Sequence, residues 1–133
     1  MQSTNIDLNK ISEVLRDQCP FIVFATICGL DETGRQNWHE KPELSVFIRE
    51  DKGTWSALEQ ILRSLTGIIP DSSCDLTLLN KVDPATRFRA ANGFCLFVQD
   101  GKYQHYRQFV RHASLDYRIM RARQRVMGIV DND

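Results

Sequence analysis

Several things are missing or scarce in this sequence, and each absence excludes something. No charge of one sign dominates: 17 basic and 17 acidic side chains cancel, so the chain as a whole has no electrostatic pull toward nucleic acid or anionic lipid. Glycine and proline are few, seven and four in 133 residues, and this excludes collagen-like and low-complexity chains. The four cysteines, Cys19, Cys28, Cys74 and Cys95, form no C-x-x-C pair and have no histidine at zinc-finger spacing. They are expected to be reduced thiols packed as small hydrophobes. The longest apolar run, Phe21 to Cys28, is far shorter than the roughly 18 residues of a membrane helix. Met1 to Lys10 lacks the basic start and apolar core of a secretory signal. The expectation is a cytoplasmic protein with no membrane association. Walker loops, Gly-x-Gly-x-x-Gly, Gly-x-Ser-x-Gly and H-E-x-x-H are all absent.

What is present is ordinary globular chemistry. Hydrophobic residues make up 42% and charged residues 26%, and a chain of this length forms one domain, residues 1–133, with a core of its own. Leu8, Ile11, Val14 and Leu15 recur at helical spacing, predicting a helix over 6–18 that Pro20 stops. The run 21–28 is rich in β-branched and aromatic residues and reads as a strand buried on both faces. Residues 29–42 are polar and punctuated by Gly29, Gly34 and Pro42, which predicts an exposed loop. A second strand follows at 44–48. Thr54 is the expected N-cap of a helix whose buried face holds Trp55, Leu58, Ile61, Leu62 and Leu65, ended by Gly67 and Pro70. Residues 74–80 predict a third strand. Asp83-Pro84 starts a short helix ending at Gly93, because an acidic cap precedes proline at the first helical position. Residues 94–98 predict the fourth strand. From Lys102 to about Met127, Tyr106, Phe109, Val110, Ala113, Tyr117 and Met120 form the stripe of a long C-terminal helix. The fold class is α/β (α+β), a small mixed sheet flanked by helices.

Charge is unevenly placed. Residues 102–128 hold seven Lys and Arg against one acid, Asp116. This is either a solvated helix face or a basic surface for an acidic partner or RNA. The aromatic–basic interleaving of an RNA-recognition motif is absent, so nucleic acid is the less favoured partner. His39, His105 and His112 are the only histidines, and the last two lie two helical turns apart, too far to share a metal ion. Trp38, in the polar loop, is either a contact anchor or folded back onto the domain.

The segment from Cys74-Asp75-Leu76-Thr77-Leu78-Leu79-Asn80 through Asp83-Pro84 to Gly93-Phe94-Cys95-Leu96-Phe97, with Ser114-Leu115-Asp116-Tyr117 beyond it, resembles the second half of minimal nucleotidyltransferases of the MNT type, in the polymerase-beta-like superfamily. Their pattern is a strand of the form vDLvdLN, a Pro-led short helix, and G-x-x-L-(F/Y) opening the next strand. The resemblance implies a nucleotidyltransferase-like fold. It further implies a site in the first half of the chain: Gly-Ser after the first strand to hold nucleotide phosphates, and Asp-x-Asp plus a third acid to hold two Mg²⁺ ions, which neutralise the triphosphate and activate the attacking hydroxyl.

That signature is eroded here. Ala25-Thr26 stands where Gly-Ser is expected, Glu43 and Ser45 where the two aspartates are expected, and Asp75 retains the third position. The candidate nucleotide-binding residues are thus Ala25 and Thr26, and the candidate catalytic and metal residues are Glu43 and Asp75. Trp38, Arg118 and Arg121 are the candidate partner-binding residues. Losing one acid of three typically costs two to four kcal/mol of barrier, roughly 10²–10³-fold in rate. The resemblance implies a degenerate, non-catalytic binding module, the antitoxin partner of a small helical HEPN-type toxin. Two alternatives stand beside it. One is an active enzyme using Mg²⁺ and ATP to transfer AMP to a protein, recruiting Asp31, Glu32 or Glu40 as an extra acid. The other is an RNA- or nucleotide-binding module. Whether the chain forms a homo-oligomer is left open.

Overall fold

The computed structural model of the chain describes residues 6–29, 41–69 and 74–128. The elements run α1 (Leu8–Gln18), β1 (Ile22–Cys28), β2 (Glu43–Ile48), α2 (Thr54–Leu65), β3 (Asp75–Leu78), a 3-10 turn (Leu79–Lys81), α3 (Pro84–Ala91), β4 (Phe94–Val98) and α4 (Tyr103–Val126). The sheet has the order β3-β2-β1-β4. β1 pairs antiparallel with both β2 and β4, and β2 pairs parallel with β3, the crossover being α2.

The continuous apolar run of β1 follows from this topology. The strand is central, and helices cover both faces of the sheet, so both sets of alternating side chains are buried. Ala25, Leu44, Val46 and Phe97 pack with Ile11 and Leu15 of α1 and Ala57, Ile61 and Leu65 of α2. On the opposite face Phe24 meets Phe47, Tyr106 and Phe109 at ring-centroid distances of 5.5, 5.0 and 5.0 Å, beside Ala90 of α3 and Ala113 of α4. Aromatic contacts of this kind add to area burial.

Local chemistry sets the ends of the elements. Asp7 accepts from the Lys10 amide to cap α1, and Asp83 accepts from the Thr86 amide to cap α3 with Pro84 at its first position. Hydrogen bonding to Thr86 holds the Asp83 carboxyl below its usual range. The Asn80 side chain both accepts from and donates to the Ile48 backbone, at 3.0 and 2.7 Å, and so fixes the turn after β3 to the end of β2.

Two sequence expectations about α2 are corrected. Gly53, not Thr54, occupies its N-cap, and no side chain caps it. Trp55 and Leu62 are exposed, at 82% and 56%, because α2 meets the sheet along a narrow stripe of Ala57, Ile61 and Leu65. The strand expected over 74–80 is β3 followed by the 3-10 turn. None of the four cysteines is in a disulfide, as expected; Cys19 is buried and the others are half-buried. Among the described residues, no helix is long and apolar enough to cross a membrane.

Candidate functional site

The parallel pairing of β2 and β3 places Glu43 and Asp75, the first residue of each strand, side by side as register partners. Adjacent strands lie about 4.8 Å apart, so the two carboxylates open onto the same end of the sheet. The Asp75 amide donates to the Pro42 carbonyl at 2.9 Å and locks the register. The chain closes on this end from two sides. Gly29, after β1, has φ +82°, and a Cβ there would sit 2.9 Å from the Lys41 oxygen, so only glycine permits the approach. Gly93, between α3 and β4, leaves no room for a Cβ either: it would lie 2.7 Å from Cys28 Sγ and 2.9 Å from the Ile27 oxygen. The Cys28 thiol donates to the Arg89 carbonyl at 3.3 Å. These contacts hold the end of α3 against the end of β1 and bring Arg89 over Glu43.

Both Glu43 oxygens are engaged there. Oε1 accepts from Arg89 Nη2 at 2.8 Å and Nε at 3.2 Å, and Oε2 accepts from the Thr77 hydroxyl at 2.7 Å. The Glu43 side chain is only 19% exposed. Asp75, more open, pairs with Lys41 Nζ at 3.1 Å. Two acids and two bases thus neutralise one another. Cys74 lies beside them with its thiol pushed up to about 11, first by burial, while the Leu44 backbone hydrogen bond opposes the rise and the Asp75 and Glu43 charges add to it.

The other candidate residues are placed differently. Ala25 and Thr26 are fully buried inside β1, two to three residues before its end, so neither presents a surface to phosphate. The end of β1 that meets Glu43 is Cys28, its register partner, followed by Gly29. Ser45 is also fully buried, opposite Thr26 across the strand pair, and neither hydroxyl has a hydrogen-bond partner. Arg118, exposed, and Arg121, half-buried, both lie on the distal half of α4, remote in the chain from these strand ends. Trp38 falls outside the described residues, as do Asp31, Glu32 and Glu40. Arg89 is the residue that sequence reasoning missed.

A two-cation site asks for carboxylate or similar oxygen ligands free to reach the ions, with one bridging them. The described residues do not fit that demand. Both Glu43 oxygens already accept hydrogen bonds, the Ser45 hydroxyl is buried, and among the described residues no three His, Cys, Asp or Glu side chains could hold a metal ion together.

Solved structures match the chain over most of its length. A mutant form of a MntA toxin–antitoxin pair superposes with a TM-score of 0.69 at 20% identity, covering 92% of this chain and 95% of the matched one. A toxin–antitoxin structure with AMP-PNP gives 0.67 at 18%, covering 92% and 95%. The tri-AMPylated HEPN toxin of Shewanella oneidensis in complex with MNT antitoxin gives 0.63 at 17%, covering 90% and 91%. The fold is that of the MNT-type nucleotidyltransferases. No protein-family model and no curated protein matches the sequence. The likeness therefore lies in topology, and the site must be judged on its own side chains.

Proposed function

We propose that this chain is a non-catalytic MNT-like antitoxin, which neutralises a HEPN-type toxin by binding it. The observation that carries the reading is the state of Glu43: Arg89 and Thr77 engage both of its oxygens. A guanidinium thus stands at the carboxylate where the related enzymes would seat a cation. Ser45 supplies no second acid, and Ala25-Thr26 is interior packing rather than a phosphate-binding loop. The toxin–antitoxin assemblies among the structural neighbours support the partner class, and the basic distal half of α4 supplies a charged surface for it. One neighbour carries AMP-PNP, but in this chain the pocket's acidic corner is filled from within.

Complementation tests the proposal. The chain is co-expressed with a HEPN-type toxin, in wild-type form and as Asp75→Asn. Growth rescue and a co-purifying complex are expected from both. Rescue by the wild type that disappears with Asp75→Asn, while the complex still forms, refutes the binding-only reading in favour of AMP transfer.

A further inference from the structure

The inner face of α4 packs Tyr106, Phe109 and Val110 against the aromatic cluster and then stacks Tyr117 on Phe88 of α3, at 4.2 Å and 6° between ring planes. Beyond Tyr117 the helix runs past Pro84, and its outer face is also apolar. Leu115, Ile119, Ala122 and Val126 are all exposed, Val126 at 88%. Their spacing is four, three and four. At 100° per residue these four side chains fall within a strip about 60° wide and about 16 Å long, on the side of the helix away from α3. Strict four-three alternation is the seam of a coiled coil, narrower than the face of a core helix. Grooves of about 590 and 440 Å³ border it, the first lined by Leu115, Ile119, Ala122 and Arg125, the second by Ile119, Met120 and Met127.

Charge identifies the occupant. Arg118 and Arg125 flank the seam on one side, seven residues apart, and Asp116 and Arg123 flank it on the other. A second copy of this chain is a poor fit. It would set Arg118 against Arg123 in parallel pairing. In antiparallel pairing the attraction of Asp116 for Arg123 is offset by Arg118 against Arg125. Charge thus gives a second copy no net attraction, whereas an acid-flanked helix meets three arginines and one aspartate. We infer that the distal half of α4 is a docking surface for an amphipathic helix of another protein. That helix carries leucine or isoleucine at coiled-coil spacing and is flanked by glutamate or aspartate. The inference goes beyond the antitoxin reading and rests on it only in expecting such a helix in the toxin.

Fluorescence anisotropy with the full-length chain tests it. The probes are two labelled three-heptad peptides with leucine at the seam positions, one with glutamate and one with lysine at the flanks. The glutamate peptide is expected to bind at least about tenfold more tightly than the lysine peptide, with a preference that shrinks as salt rises. Ile119→Asp and Val126→Asp, at exposed positions, should each weaken it about tenfold or more while far-UV circular dichroism stays unchanged. Equal binding of both peptides, no binding of the glutamate peptide, or unchanged affinity in both variants overturns the inference. Dimerisation of the chain through this stripe, seen by sedimentation and lost in Val126→Asp, also overturns it. The same two variants are then tested against the toxin complex. A wild-type complex that forms and is unaffected by both removes the surface but leaves the antitoxin reading standing. Peptide binding with no toxin complex does the reverse.

Discussion

Replacing Arg89 with alanine tests whether the Glu43–Arg89 pair has the weight given to it. The substitution removes two charge-assisted hydrogen bonds, at 2.8 and 3.2 Å, from a carboxylate that is about four-fifths buried. Bonds to charged groups are worth about 1.5–3 kcal/mol in general. Arg89 is itself 57% exposed, so solvent already screens the pair, and we discount the loss to about 1–2 kcal/mol. A domain of this length has an unfolding entropy near 0.28 kcal/mol per degree, so the melting temperature should fall by about 5 °C. Part of the loss reflects the carboxylate left behind with only Thr77. Glu43→Gln in the Arg89→Ala background should therefore cost less than Glu43→Gln alone. Calorimetry of the wild type, both single variants and the double variant closes the cycle, with an expected coupling of about 1 kcal/mol. A coupling within about 0.3 kcal/mol of zero would refute the idea that Arg89 serves as Glu43's internal cation.

Three more outcomes follow from the site and its surroundings. Thr26→Val replaces a buried hydroxyl that has no partner with a methyl group of similar size, and calorimetry should show about 1 kcal/mol of stabilisation; destabilisation would mean that the hydroxyl makes a bond the structure does not reveal. Burial pushes the Tyr106 phenol up to about 12, with the neighbouring Cys95 adding to the rise. The folded chain then holds that proton where the unfolded chain loses it, so stability should fall as pH climbs from about 10 to about 12, and the fall should shrink in Tyr106→Phe. The Cys74 thiol, pushed up to about 11, carries about a hundredfold less thiolate at pH 8 than an ordinary cysteine at 9. Peptide mapping after brief iodoacetamide treatment of the folded chain should find Cys74 largely unmodified and rapidly labelled once urea is added.

The parts of the fold that local chemistry decides were legible in the sequence. The β1 run has to be buried on both faces, and Asp83-Pro84 sets a helix start through the cap and the fixed φ of proline. The excess of apolar residues on α2 was misleading. Trp55, Leu58, Ile61, Leu62 and Leu65 make a broad stripe on a helical wheel, but the sheet offers room only for the narrower line through Ala57, Ile61 and Leu65. The burial of Ala25-Thr26 was not legible for a related reason. A continuous apolar strand carries no mark of where it ends, and β1 continues to Cys28, so its end meets Glu43 three residues later than the motif suggested. Arg89 left no local signal, because its partner lies 46 residues away. The outer seam of α4 was hidden by interleaving: Tyr117 and Met120 belong to one face and Leu115, Ile119, Ala122 and Val126 to the other, so one helix carries two apolar lines.

Intact-mass spectrometry decides between sequestration and modification most directly. The purified toxin is incubated with this chain, ATP and Mg²⁺, and its mass and ribonuclease activity are followed together. The account predicts that activity falls in step with stoichiometric complex formation while the toxin's mass stays unchanged, with or without ATP. A toxin that gains one or more AMP units, and remains inactive after the chain is removed, would contradict it.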